Sequence, residues 1–300
     1  MRRWIRDVKY AAGLIRAGKL VAFPTETVYG LGANALDAAA VERIFIAKGR
    51  PRSSPLIVHV ASIEMAREFA AAWPEAAQIL AERYWPGPLT LVLPKRPAIP
   101  DIVTAGLPTV GLRMPDDHLA LLLIRHAGVP IAAPSANRFT ELSPTLPDHV
   151  PEGIADYTLR HASRPRVGIE STVLSLAGDC PTLLRPGVIP LPEIENLIGR
   201  VETAAEPQSG SHASPGMHPR HYRPRTPLVL LESGAAPPAG RGACLRLGRE
   251  MPAEPLAYAA ALYETLHRLD AEGLDWIAVE RPPDTPEWAG VRDRLRRAAG

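Results

Sequence analysis

The chain predicts an α/β protein: a twisted mixed sheet with flanking helices, then a small C-terminal α/β unit. Three observations carry this. Short apolar runs alternate with helix-period segments across the first two hundred residues. From 202 to 227 the composition turns to Pro, Ser, Gly, His and Arg with no regular apolar period, which signals a linker. Beyond it, strand and helix signals resume over about seventy residues, few enough to depend on packing against the first unit. The expected division is 1–200, a linker at 201–226, and 227–300.

The elements follow in order. A helix is expected at 5–17, stopped by Gly18, then a strand at 20–23. Helix 38–47 precedes strand 56–60; helices 63–72 and 75–84 precede strand 89–93. Strand 110–113 is followed by helix 119–127, stopped by Gly128, and by strands 131–133 and 172–176. Proline-rich joints such as Trp85-Pro86-Gly87-Pro88 mark fixed turns. In the last unit, strands are expected at 228–231, 243–247 and 276–280, and helices at 257–269 and 288–298. No internal repeat is visible.

Composition removes several classes of function. With 300 residues and a formal charge of +2, the whole surface is not that of a non-specific nucleic-acid binder. The 33 prolines are scattered, so low complexity is not indicated. Cys180 and Cys244 have no neighbouring cysteine and define neither a disulfide framework nor a CxxC zinc site. The basic N-terminus lacks an apolar h-region, and no run approaches eighteen apolar residues. The expectation is a soluble, reduced, cytoplasmic protein that does not enter a membrane.

The chemistry-bearing residues cluster at element ends. Lys48-Gly49-Arg50 follows a helical stretch, and Ser135-Ala136-Asn137 follows the apolar run 129–134. Two cations, a hydroxyl and an amide suit a polyanion. Lys48 stands out in a chain with only four lysines. The same Lys/Arg pair equally suits a solvated helix end that favours the dipole. Residues 24–32, PTETVYGLG, put two threonines, a glutamate and a tyrosine after the first strand, with Gly30 and Gly32 permitting close backbone approach. They also fit an ordinary β-turn-helix connection with an N-cap. Neither GxxxxGK[ST] nor GxGxxG occurs, so any nucleotide needs another cradle.

His59, inside an apolar alternation, reads as a core histidine or a site residue. Arg113 reads as a surface partner of Asp116 or Asp117, or as a bidentate carboxylate clamp. Gly168-Ile169-Glu170-Ser171 and Leu184-Arg185-Pro186-Gly187 place further polar groups at strand ends. Ser214-Pro215-Gly216-Met217 and Arg220-His221-Tyr222 interrupt the linker with residue types that bind. His212, His218 and His221 lack nearby companion ligands, so no metal site is expected there. Arg160, Arg164, Arg166, Arg220, Arg223 and Arg225 suit either an RNA-facing patch or solvated loops.

Taken in order, PTETVYGLG, AKGRP with PLIVHV, WPGPLTLVL, RMP, PIAAPSAN, SPT, GIESTV, LRPG and SPGM…RHY resemble the threonylcarbamoyl-AMP synthases. The likeness is to the long, two-domain form, with a YrdC-like domain, a linker and a small Rossmann-like C-terminal domain. It covers nearly the whole chain, more weakly in the last third, through 258–270 and Arg292-Asp293-Arg294-Leu295. The resemblance implies that ATP, bicarbonate and L-threonine give threonylcarbamoyl-adenylate and pyrophosphate. The product serves threonylcarbamoyl-adenosine modification of tRNAs reading ANN codons, through a downstream threonylcarbamoyl transferase.

It further implies Lys48, Arg50, Ser135 and Asn137 as a catalytic tetrad at the ATP phosphates. Ser54, Thr109, Ser143, Arg185 and Tyr222 would join them in holding the nucleotide. Thr27, His59, Arg113, Ala133 and Ser171 would surround L-threonine. Mg²⁺ would arrive with ATP, and the linker would act as a lid. Two positions depart from the family pattern. Ser54 stands where asparagine is common, and Arg160-His161-Ala162-Ser163 replaces an Asp-Gly-Gly turn, removing easy access to positive φ. The alternatives are a non-catalytic double-stranded RNA- or tRNA-binding protein on this fold, with at least weak RNA binding, and a relative handling another carbamate. The complete tetrad disfavours the first. The absence of zinc-finger and acylphosphatase-like segments disfavours the second.

Overall fold

A computed structural model describes residues 2–161, 164–204 and 221–299. The first ten strands are β1 (Val21–Phe23), β2 (Gly30–Asn34), β3 (Ile57–His59), β4 (Leu89–Pro94), β5 (Thr109–Arg113), β6 (Ile131–Ala132), β7 (Tyr157–Thr158), β8 (Thr172–Ser175), β9 (Thr182–Arg185) and β10 (Glu202–Thr203). They form one sheet in the order β10-β9-β8-β4-β5-β3-β6-β2-β1-β7. The sheet is mixed: β3 runs parallel to β5 and β4 to β8, while β2 is antiparallel to β1 and β6. This is the expected twisted mixed sheet with helices on both faces.

Helix α1 (Arg2–Arg16) covers one face and α2 (Ala38–Lys48) the other. Helix α2 starts because the Asp37 carboxylate accepts from the backbone N–H groups of Ala39 and Ala40. It stops because Gly49 takes the left-handed conformation at φ 63°. Helices α3 (Ile63–Phe69), α4 (Glu75–Tyr84) and α5 (Asp101–Thr104) join the α2 side, and their buried Phe69, Leu80 and Val103 share its core. Helix α6 (His118–Ala127) packs on α1, capped by Asp117 and ended by Gly128 at φ 69°. Helix α7 (Leu191–Ile198) buries Ile194 in the α2-side core.

Strand β2 is a departure from expectation. Its glycines serve packing. A Cβ on Gly32 would sit 2.7 Å from the Phe23 ring and 2.8 Å from Ile131. The segment therefore continues as a strand where a helix had been an open reading. Strand β10 also extends the sheet two residues into the stretch read as linker, pairing with β9.

The C-terminal unit has three parallel strands, β11 (Leu228–Leu231), β12 (Gly242–Leu245) and β13 (Trp276–Glu280), in the order β11-β13-β12. Helices α8 (Pro255–Asp270) and α9 (Ala289–Ala299) flank it. One apolar core joins the units: Val28, Leu142, Val167 and Ile169 pack with Tyr258, Leu262, Leu266 and Val291. Their approach is close at two glycines. A Cβ on Gly168 would lie 2.4 Å from the Ala260 Cα, and one on Gly290 2.4 Å from the Gly187 carbonyl oxygen. The small unit thus shares its core with the larger one.

Candidate active site

A cavity of about 50 Å³ opens where the ends of β1, β3 and β5 meet the loops after β6 and before β8. Its first wall comes from the turn after β1. The Thr25 hydroxyl accepts from the N–H groups of Thr27 and Val28 and donates to the Val28 carbonyl, a side-chain-closed turn. That turn sets Thr27 Oγ1 2.9 Å from Arg113 Nη2, which donates to it. Arg113 Nη2 also lies 2.7 Å from Glu26 Oε1, with both side chains buried. This is a charge contact, and neither Glu26 oxygen receives an aligned hydrogen bond. The surface pairing of Arg113 with Asp116 or Asp117 is not what forms. Asp116 pairs with Arg166, and Asp117 caps α6. Beside Arg113, the His59 ring packs edge-on against Phe23. Burial and the Arg113 charge push His59 down to about 3, so its imidazole is neutral at pH 7.

The second wall is the phosphate-grip candidate. Lys48 is buried, not a solvated helix end, because Gly49 turns the chain sharply after α2. Its ammonium donates to the Ser135 carbonyl at 2.6 Å and to the Asn137 carbonyl. Burial and the neighbouring Arg50 pull its pKa well below the ordinary lysine range. Arg50 donates to the Ser54 hydroxyl at 2.8 Å and to the Pro55 carbonyl, and burial brings it down to about 10. Ser54 is thus the anchor of Arg50. Asn137 is fixed in turn, its amide donating to the carbonyls of Arg138 and Glu141.

The third wall joins the two units. The Glu170 carboxylate lines the cavity and accepts from Ser143 Oγ at 2.5 Å, Tyr263 Oη at 3.1 Å and Arg294 Nε at 2.8 Å. Arg185 donates to the Ser171 carbonyl and hydroxyl. His221 and Tyr222 close the cavity. Tyr222 sits in the left-handed region at φ 63°, buried, its hydroxyl without a hydrogen-bond partner among the described residues. Burial, then the charges of Arg50, Lys48, Arg185 and Arg294, push His221 well below its ordinary value.

Of the residues expected from sequence, Thr27, Arg50, His59, Arg113, Ala133, Ser135, Arg185 and Tyr222 line this cavity. Lys48, Asn137, Ser54, Ser143 and Ser171 stand behind it, each bonded to a lining residue or its neighbour. Thr109 falls elsewhere, in a separate small recess with Thr90 and Thr104. Thr25, Glu170 and His221 also line the cavity; they sat inside motifs that drew attention but carried no assigned role. Residues 214–220 of the segment expected to act as a lid, with His212 and His218, and residues 162 and 163 of the altered loop lie outside the described residues.

Four of the six arginines read as an RNA-facing patch or as solvated loops are exposed and ion-paired, and Arg220 lies outside the described residues. Arg160, Arg164, Arg166 and Arg225 each pair with a carboxylate, on Asp148, Glu264, Asp116 and Asp270 respectively. Among the described residues, no group of three or more His, Cys, Asp or Glu side chains could hold a metal ion. Nor is any described helix long and apolar enough to cross a membrane.

The Sua5/YciO/YrdC family model, described as "Telomere recombination", matches residues 13–187. The model described as "Threonylcarbamoyl-AMP synthase, C-terminal domain" matches residues 189–300. A threonylcarbamoyl-AMP synthase of Pyrococcus abyssi is 43% identical, with 98% of this chain and 94% of that protein covered. One of Bacillus subtilis is 41% identical, covering 100% and 98%. The crystal structure of P. abyssi Sua5 complexed with L-threonine superposes with a TM-score of 0.90 at 39% identity, covering 98% of this chain and 94% of that one. The chain therefore belongs to the threonylcarbamoyl-AMP synthase family, in the long form that carries the C-terminal domain.

Proposed function

We propose that this chain is an L-threonylcarbamoyladenylate synthase, a nucleotidyltransferase that uses ATP, bicarbonate and L-threonine. The observation that carries the reading is one cavity with two chemically distinct arms. Arg113, Thr27 and neutral His59 lie on one side; Arg50, Ser135 and Arg185 lie on the other. The first arm suits an amino acid. Arg113 takes the carboxylate, and His59, uncharged at pH 7, does not repel the amine. The relative solved with L-threonine supports this side of the reading.

The second arm suits polyphosphate. Threonine's amine joins bicarbonate to give a carbamate and water. A carbamate oxygen then attacks the α-phosphorus in line, and pyrophosphate leaves. Such a step needs positioning and charge neutralisation more than a protein nucleophile. Lys48 contributes when its ammonium exchanges the Ser135 and Asn137 carbonyls for phosphate oxygens, with Asn137 and Ser135 framing the site. Ser54 holds Arg50, Ser143 holds Glu170, and Ser171 holds Arg185. Mg²⁺ enters as the chelate of ATP. Glu170 at the cavity wall and Glu26 beside it are already engaged by Arg294 and Arg113, so the oxygen ligands of the ion would come mainly from phosphate and water.

A cavity of about 50 Å³ is far below the roughly 300 Å³ or more that a small-molecule site occupies. Tyr222, which closes the cavity near the end of the linker, would therefore move outward to admit ATP. The product would pass to a threonylcarbamoyl transferase that modifies tRNAs reading ANN codons, in the cytoplasm. Purified protein given ATP, bicarbonate and L-threonine should yield pyrophosphate and an adenylate of the expected mass in equal amounts. ATP turnover indifferent to threonine and bicarbonate, or none, sinks the reading.

A further inference from the structure

One buried cation of the C-terminal unit reaches the lining of the pocket. Arg294, on α9, has a side chain 0% exposed, yet every arm of its guanidinium is engaged. Nε donates to Glu170 Oε2 at 2.8 Å and Nη2 to the Glu170 carbonyl at 3.1 Å. Nη1 donates to the Pro186 carbonyl at 3.0 Å and to Asp293 Oδ2 at 2.8 Å. Its guanidinium carbon also stands 5.3 Å from the centre of the Tyr222 ring. Glu170 and Tyr222 both line the cavity, whereas Arg294 does not. So α9 grips two pocket residues from behind.

The pocket's charges say why this matters. Glu170 is an anion in a cavity otherwise lined by Arg50, Arg113 and Arg185. A carboxylate beside a polyphosphate repels it and competes for the same guanidiniums. After Arg294, the next positive charge that Glu170 feels is Arg185. Ser143 and Tyr263 complete the Glu170 hydrogen bonds, and Asp293 balances Arg294 from the far side.

We propose that Arg294 is a positioning residue for the nucleotide pocket, holding Glu170 as its own ion-pair partner so that this carboxylate neither repels the ATP phosphates nor competes with them for Arg185. The inference rests on the reading of this cavity as the ATP site. It gives the C-terminal unit a task in the chemistry of the first unit: it matches a pocket charge from outside the pocket.

The test uses the full chain and two probes, ATP and adenosine, by calorimetry. In Arg294→Gln, ATP affinity should fall about ten- to a hundredfold while adenosine affinity stays within about twofold. Adding Glu170→Gln to that variant should return most of the ATP affinity, since the unmatched anion is gone. Arg294→Lys, which keeps the charge, should bind ATP within a few-fold of the unaltered chain. It carries the comparison if the glutamine variant does not fold. Equal losses for ATP and adenosine, a double variant no tighter than Arg294→Gln, or a folded Arg294→Lys variant that loses a hundredfold in ATP affinity would overturn the proposal. An unaltered chain that binds adenosine but not ATP overturns the underlying reading instead, and the inference with it.

Discussion

Two buried arginine–glutamate pairs flank the same cavity, and they are built differently. Arg113–Glu26 lies within the first unit, and both of its residues are close in the fold to the cavity wall. Its glutamate receives no aligned hydrogen bond, and its arginine has one hydroxyl and a 3.3 Å contact to the Gly87 carbonyl besides. Arg294–Glu170 bridges the two units, and its glutamate accepts from three side chains. A pair with unmet hydrogen-bonding capacity facing a cavity is prepared to accept a ligand. A pair whose guanidinium is engaged at all three nitrogens is prepared to hold shape. The same two residue types therefore serve recognition on one wall and scaffolding on the other.

The largest effect should come from cutting the scaffold pair. Arg294→Ala leaves the buried Glu170 carboxylate without its cation partner and should cost about 3–5 kcal/mol of stability. Arg113→Ala leaves Glu26 beside a cavity that water can enter, so about 1–3 kcal/mol is expected. Urea midpoints at unchanged slope measure both. Equal losses would erase the distinction between the walls.

A smaller effect follows from pH, and it belongs to the Arg113 wall. Folding holds His59 at about 3, against about 6.5 in the unfolded chain. Between those values the unfolded state binds the proton and the folded state does not, so stability falls as pH drops through 6.5. From pH 7 to pH 5 this amounts to roughly 2 kcal/mol. His149, pushed down to about 4 by burial and by His267, contributes with the same sign. The measurement is therefore a difference. His59→Gln should lose about 2 kcal/mol less than the unaltered chain over that interval. Identical pH dependence for the two proteins would show that His59 already reaches solvent.

How much of this was legible in the sequence follows from how local each signal is. Strands such as β4 and β13 announce themselves because their apolar runs are continuous. Strand β2 is hidden by its glycines, whose meaning depends on a phenylalanine seven to nine residues earlier and on Ile131 across the sheet. Two-residue strands such as β7 and β10 exist only through their partners. The first two walls were readable because Thr27, Arg50, His59, Arg113 and Ser135 sit in compact motifs at element ends. The third was not. Glu170 and Arg294 are 124 positions apart, and nothing in either segment names the other. Arg160 to Arg166 show the converse: a visible run of charge whose counterions, Asp148, Asp116 and Glu264, come from elsewhere in the chain.

The finest test of the comparison is Arg113→Lys. An ammonium keeps the charge beside Glu26, so stability should change little. It lacks the planar fork that reaches Thr27 and the Gly87 carbonyl together and that would grip a carboxylate at two oxygens. Threonine affinity should fall about tenfold, close to 1.4 kcal/mol, while ATP affinity stays within about twofold. Titration of each substrate separately reads the two numbers. A lysine variant that binds threonine as tightly as the unaltered chain would mean that the fork is not used on the ligand. Arg113–Glu26 would then be a second scaffold, and the wall that recognises threonine would have to be sought around His59 and Thr27 alone.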